Sequence, residues 1–241
     1  MEYKFEIIAF NIESCMAIQE GGADRIELCA DPGSGGTTPS FGLIKTAREK
    51  VSIDIFPIIR PRGGDFLYSD EEFQIMIKDV LLCKTLECNG VVLGLLKKDG
   101  QIDIERTAKL IEAAYPMDVT FHRAFDRCRD PFEALGQLIN LGCKRILTSG
   151  QELTAPQGAE LIAQLVKQSA GRISIMPGSG VRKENIKQLA GITGAHEFHS
   201  SLRNDVPGQM EFIHPAFKGS SENLYPVVHA DAVAALKGAL S

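Results

Sequence analysis

Short apolar and β-branched runs alternate along the chain with longer stretches whose apolar residues recur every three or four positions. The short runs predict strands at 6–9, 25–28, 53–59, 90–93, 118–121, 145–147, 173–176 and 195–198. The longer stretches predict helices at 12–20, 40–49, 70–86, 103–114, 131–141, 155–170 and 182–189. Eight strands alternating with helices predict parallel pairing, hence an α/β protein closed as a single (β/α)8 TIM barrel. Asp70 is placed to cap the third helix, with Phe73, Met76, Ile77 and Val80 on its apolar face. Asp130-Pro131 supplies a cap followed by a first-turn proline. Gly21-Gly22, Gly142 and Gly191 are placed just past helix ends. Residues 203–226 are rich in turn formers and predict an irregular segment before a last helix at 231–240.

The 241 residues suit one barrel domain spanning 1–241, and 44% hydrophobic content supplies a core. A net charge of −5 argues against a nucleic-acid or membrane surface. The first ten residues lack a cationic leader and enter a strand directly, which predicts a cytoplasmic protein. In that compartment the six cysteines are expected to be free thiols.

Catalytic groups of such barrels gather at the C-terminal strand ends, so the polar residues there carry the chemistry. In the second strand Arg25, Glu27 and Cys29 share the face opposite Ile26 and Leu28. Arg25 and Glu27 would then point inward, as a structural ion pair or as part of a site. Arg60 and Arg62 follow the third strand, and their guanidinium forks suit a carboxylate or phosphate. His122 ends the fifth strand as the best-placed general acid or base, with Arg123 and Asp126 behind it. Ser149 follows the sixth strand. Glu197 and His199 share an inward parity in the eighth, which leaves His196 structural, and Arg203 lies beyond. Gly178, Ser179 and Gly180 form a turn between a strand and a predicted helix, a pattern that suits an anion. Cys29 and Cys128 lie on segments near the mouth. Two thiols on separate loops are a weak metal signal.

Several tracts resemble the CutC copper homeostasis family: GGADRIELC (21–29), GGTTPS (35–40), IRPRGGDFLYSD (59–70), VTFHRAFD (119–126), ILTSG (146–150), GRISIMPGSGV (171–181) and EFHSSLR (197–203). The resemblance implies a TIM barrel, a cytoplasmic location, a homodimer or larger homo-oligomer, and an association with copper. It brings no settled reaction. The family's Cu(I) proposal involves cysteines, and the matching thiol here is Cys29.

Three functions follow. One is copper homeostasis through Cu(I) held by Cys29. Another is an enzyme acting on a small anionic or phosphorylated metabolite by proton transfer or lyase chemistry. In it Arg25, Arg60, Arg62, Arg123, Ser149, Gly178, Ser179, Gly180 and Arg203 bind, and Glu27, His122, Asp126 and His199 supply the catalytic groups. The third is a binding barrel without turnover. The expected partner is thus a copper ion or a small anionic metabolite.

Overall fold

In the computed structural model, which describes residues 3–240, the chain runs β1 (Lys4–Ala9), α1 (Ile12–Glu20), β2 (Arg25–Leu28), α2 (Phe41–Lys50), β3 (Asp54–Pro57), α3 (Asp70–Thr85), β4 (Gly90–Leu93) and α4 (Ile104–Ala114). It continues through β5 (Asp118–Phe121), α5 (Pro131–Leu141), β6 (Arg145–Thr148), α6 (Ala159–Ser169), β7 (Ser174–Pro177), α7 (Ile186–Thr193) and β8 (Glu197–Ser200). After these come β9 (Asn204–Pro207), β10 (Leu224–Val227) and α8 (Ala230–Gly238). Residues 1, 2 and 241 of the expected 1–241 domain lie outside the described residues.

The first eight strands are the staves of a TIM barrel. Parallel ladders join β3-β2-β1-β8 and β4-β5-β6-β7. An Ile58–Val92 bridge links the β3 edge to the β4 edge, and β7 lies against β8. Alternation decides which residues face where. Phe5, Ile7, Ile26, Leu28 and Ile55 point outward into one large apolar layer under the helices. Ile8, Cys29, Phe56, Ile58 and Val92 form a separate small cluster inside the barrel. Among the described residues no helix is long and apolar enough to cross a membrane.

Several expected boundaries move, each for a local reason. Ser69, not Asp70, caps α3. Its hydroxyl accepts from the Glu72 amide while Glu72 accepts from the Ser69 amide, a reciprocal arrangement that Asp70 cannot make from the first turn. Gly191 lies inside α7 and Gly194, with φ +67°, ends it. α7 starts at Ile186 rather than 182, because the Asn185 side chain ties Arg182 and Gly180 into a turn first. α6 starts at Ala159 rather than 155. β8 runs two residues later than expected, since its register on β1 pairs Lys4 with Glu197 and Glu6 with His199. Within the supposedly irregular 203–226 segment, β9 and β10 pair antiparallel.

Candidate functional site

Inside the barrel the strands carry a chain of buried charges. The Arg25 Nε donates to Glu6 Oε2 at 2.5 Å, and its Nη2 donates to Glu197 Oε2 at 2.7 Å. Arg145 Nε donates to the same Glu197 oxygen at 3.1 Å. Both guanidiniums pack near the Phe56 ring, 5.1 and 5.2 Å from its centroid. Arg25 and Glu27 therefore do not pair with each other, as alternation alone allowed. Arg25 is committed to Glu6 and Glu197 and does not line the mouth. Its role here is to hold Glu6 in place. An ionised group buried this way is retained because each charge has a partner.

Glu6 links this network to the mouth. Its other oxygen, Oε1, accepts from His199 Nδ1 at 2.8 Å, and His199 Nε2 faces Glu27 Oε2 at 3.7 Å. The three residues are buried, but their environments differ. Burial opposes the Glu6 charge, yet Arg25 and His199 overcome it and hold the carboxyl down at about 2. Burial pushes the Glu27 carboxyl up to about 7, against the attraction of His199 and with the repulsion of Glu6 added. Burial disfavours charge on His199, but the Glu6 hydrogen bond and the Glu27 charge raise its pKa overall. Gly178 leaves room for this ring. A Cβ there would sit 2.4 Å from Leu147 Cδ1 and 3.2 Å from His199 Cβ. A larger residue would push His199 aside.

Above this floor opens a mouth of about 1430 Å³. Glu27, His122, His199, Arg60, Arg123, Ser179, Gly180 and Arg203 line it, which brings together eight of the residues expected from sequence. Arg60 is buried. Its Nη1 donates to the Ser34 and Gly36 carbonyls at 2.7 Å and its Nη2 to the Gly64 carbonyl at 3.0 Å, so the cation is fixed by backbone oxygens and, among the described residues, forms no salt bridge with a carboxylate. Among the described residues none accepts a hydrogen bond from the amides of Gly180 and Val181, which also line the mouth. The helix expected directly behind this turn begins only at Ile186, so its dipole does not act at Gly178–Gly180.

Other expected residues stand elsewhere. Arg62 turns away to Glu72 and Asp65 at the start of α3, with no part in the mouth lining. Asp126 is a loop anchor. It accepts from Arg123 Nε, Thr148 Oγ1 and the Ser149 amide, and so ties the loop after β5 to the end of β6. Ser149 belongs to that anchor, its Oγ 2.9 Å from Asp126 Oδ2. Arg203 extends over Phe10 and reaches the Pro32 carbonyl at 3.3 Å.

His122 is placed as expected but not for the expected work. Its Nδ1 accepts from the Ala124 amide at 3.1 Å, and burial beside the Arg60 charge holds its pKa down at about 3. It therefore stays neutral at working pH and takes up no proton there. Its Nε2 is buried without a hydrogen-bond partner. Gly94 permits this position, since a Cβ there would lie 2.5 Å from His122 Nδ1.

Metal-ligating geometry occurs once among the described residues, at Glu6, Glu27 and His199, whose ligand atoms lie within 4.8 Å of one another. Two carboxylates and an imidazole are not the soft donors that select Cu(I), and Arg25 and His199 already occupy the Glu6 oxygens. Cys29 lies in the barrel interior and does not line the mouth. Burial and the charges of Glu27 and Glu6 push its thiol well above the ordinary value. Cys128 is buried elsewhere, its thiol pushed up to about 12 by burial and by Asp126. The residues present do not fit Cu(I).

Sequence reasoning missed Glu6, Arg145 and Gly94. The signal for Glu6 was a lone acid inside the apolar run of β1, two residues before Ile8 on the inward face. Arg145 opens β6 directly after Lys144, so its sequence signal is weaker. Nothing in the sequence marks Gly94, whose role depends on a ring twenty-eight positions later.

The sequence profile of the CutC family matches residues 3–204. A CutC family protein of Parabacteroides distasonis is 57% identical over 213 residues, 88% of either chain. One of Chromobacterium violaceum is 52% identical over 88% of this chain and 86% of its own. A crystal structure of a CutC protein from Streptococcus agalactiae, whose name refers to copper homeostasis, superposes with a TM-score of 0.79 at 36% identity, covering 83% of this chain and 98% of that one. Thiamine phosphate pyrophosphorylase from Pyrococcus furiosus superposes at a TM-score of 0.60 with 15% identity over 99% of this chain and 95% of that one, a likeness of fold alone.

Proposed function

The chain belongs to the CutC family, and from that premise we propose that its barrel mouth binds a small anionic metabolite on which Glu27 and His199 move a proton. The observation that carries this is the Glu27–His199 contact at 3.7 Å, two buried titratable groups on the floor of an open mouth. A buried carboxyl near 7 is matched to proton transfer at neutral pH. Glu6, held ionised by Arg25, orients His199 through Nδ1. Glu27 then gains or loses the proton, and His199 follows its charge. Arg60 and the Gly180 and Val181 amides supply fixed positive potential for the anionic group.

The test is a thermal-shift screen of phosphorylated and carboxylated metabolites against their neutral parent compounds, with each hit followed by calorimetry. Anions that stabilise the protein where their neutral parents do not support the proposal. Equal behaviour of the two sets contradicts it.

Cu(I) binding is the second function, favoured by the family's name and by the place of Cys29 two residues above Glu27 on the inward face. The donor set stands against it, so copper enters as incidental to the mouth. The protein is further proposed to be cytoplasmic, to fold as one domain, and to assemble as a homodimer or larger homo-oligomer, a state that sedimentation reads directly.

A further inference from the structure

Fully buried polar atoms without a partner are uncommon, because each forfeits a hydrogen bond it would make in water. His122 Nε2 is such an atom, and the residue lines the mouth. The imidazole is neutral, and a neutral imidazole carries one proton. Its Nδ1 is an acceptor, fixed by the Ala124 amide, so the proton sits on Nε2. The ring is held from several sides. Phe66 packs against it at 4.9 Å between centroids, and Gly94 lies beneath it. Across Phe66 stands Arg60, its guanidinium 5.2 Å from that ring. The titratable and charged groups facing His122 are thus led by Arg60, whose positive charge opposes protonation of the imidazole. The result is a rigid, uncharged N–H donor on a residue that lines the same mouth as Glu27.

We propose that His122 Nε2–H binds the carbonyl oxygen of an anionic α-hydroxycarbonyl substrate, and that the site catalyses enolisation of that substrate. This rests on the anion-binding mouth proposed above and names its substrate class. In the step, the Glu27 carboxylate takes the proton from the carbon next to the carbonyl. The C–H electron pair becomes the new C=C bond. The carbonyl π pair moves onto oxygen, where the His122 Nε2–H and the Arg60 charge meet the developing negative charge. The reverse step returns the proton from Glu27 to carbon, so no oxidant, reductant or co-reactant is consumed. A neutral imidazole suits this work because its own acidity lies closer to that of an enediol than an imidazolium's does.

The test uses the full chain labelled with ¹⁵N at histidine, and two probes that share a phosphate. Phosphoglycolohydroxamate carries an enediolate-like oxygen; glycerol 3-phosphate carries no carbonyl. In the free protein the His122 signal, assigned by its loss in His122→Phe, should show a protonated Nε2 and an unprotonated Nδ1 with no titration across neutral pH. The hydroxamate should bind about tenfold more tightly or better, the worth of a hydrogen bond to a charged oxygen, and should move the Nε2 signal. Glycerol 3-phosphate should bind and leave that signal in place, and His122→Phe should erase the preference. A protonated Nδ1, or equal binding of both probes with the signal unmoved, overturns the role of His122 while the anion-binding mouth stands. Failure of both probes to bind at millimolar concentration overturns the mouth, and this inference with it.

Discussion

Glu27→Gln should make the protein more stable, and increasingly so as pH rises. The side chain is buried, and burial raises its pKa from the ordinary 4.5 to about 7. The folded state thus keeps a proton that the unfolded chain has already released above about 4.5. Folded stability from this group is full below that pH, falls as pH climbs towards 7, and is then flat. The span between the two values corresponds to about 3 kcal/mol of lost stability above about pH 8. Glutamine has the same shape and never ionises, so the variant escapes the loss. His199 trims the gain, because it loses the Glu27 charge that helps raise its own pKa. Urea unfolding of both proteins at several pH values between about 5 and 9 measures the difference directly. The stability of Glu27→Gln relative to wild type should climb by about 1–3 kcal/mol over that range. A difference that stays constant with pH, or one that falls, would refute a proton held on Glu27 by burial.

Three other outcomes follow from the same geometry. Glu6→Gln strips Arg25 and His199 of their shared anion inside the barrel, and chemical denaturation should show a loss of about 3–5 kcal/mol. Gly94→Ala drives a methyl into His122, so it should cost about 1–3 kcal/mol in the wild-type background and measurably less combined with His122→Ala. Cys29→Ala should leave Cu(I) affinity unchanged in anaerobic competition with a chromogenic chelator, because the thiol is buried and, among the described residues, it belongs to no group of three metal-ligating side chains.

The barrel was legible because its signals are local. Period-two alternation in β2 put Ile26 and Leu28 outward and Arg25, Glu27 and Cys29 inward, and the structure has them so. The inward parity of Glu197 and His199 in β8 likewise revealed both residues, even though the strand itself begins two residues late. Partners were not legible. Arg25 pairs across the barrel with Glu6 and Glu197 rather than along its own strand with Glu27, and only the stagger of neighbouring strands decides that. The sequence suggests an anion site at Gly178–Gly180 because a helix is expected to follow at once. The apolar periodicity from 182 onward was real, but a side-chain turn at Asn185 delays the first helical residue. The strand-end position of His122 is readable from sequence, but its acidity depends on burial and on Arg60, sixty-two positions away. Arg62 and Asp126 have the residue types of a site, yet their partners are structural.

The proposed proton transfer depends on a carboxyl poised near neutrality at the floor of the mouth. Its most direct test is a ¹³C NMR titration of the glutamate side-chain carboxyls in the full chain, with Glu27 assigned by its loss in Glu27→Gln. The Glu27 midpoint should fall near 7, well apart from a Glu6 signal that stays ionised down to about 2. A Glu27 midpoint near the ordinary 4.5 would contradict that poise.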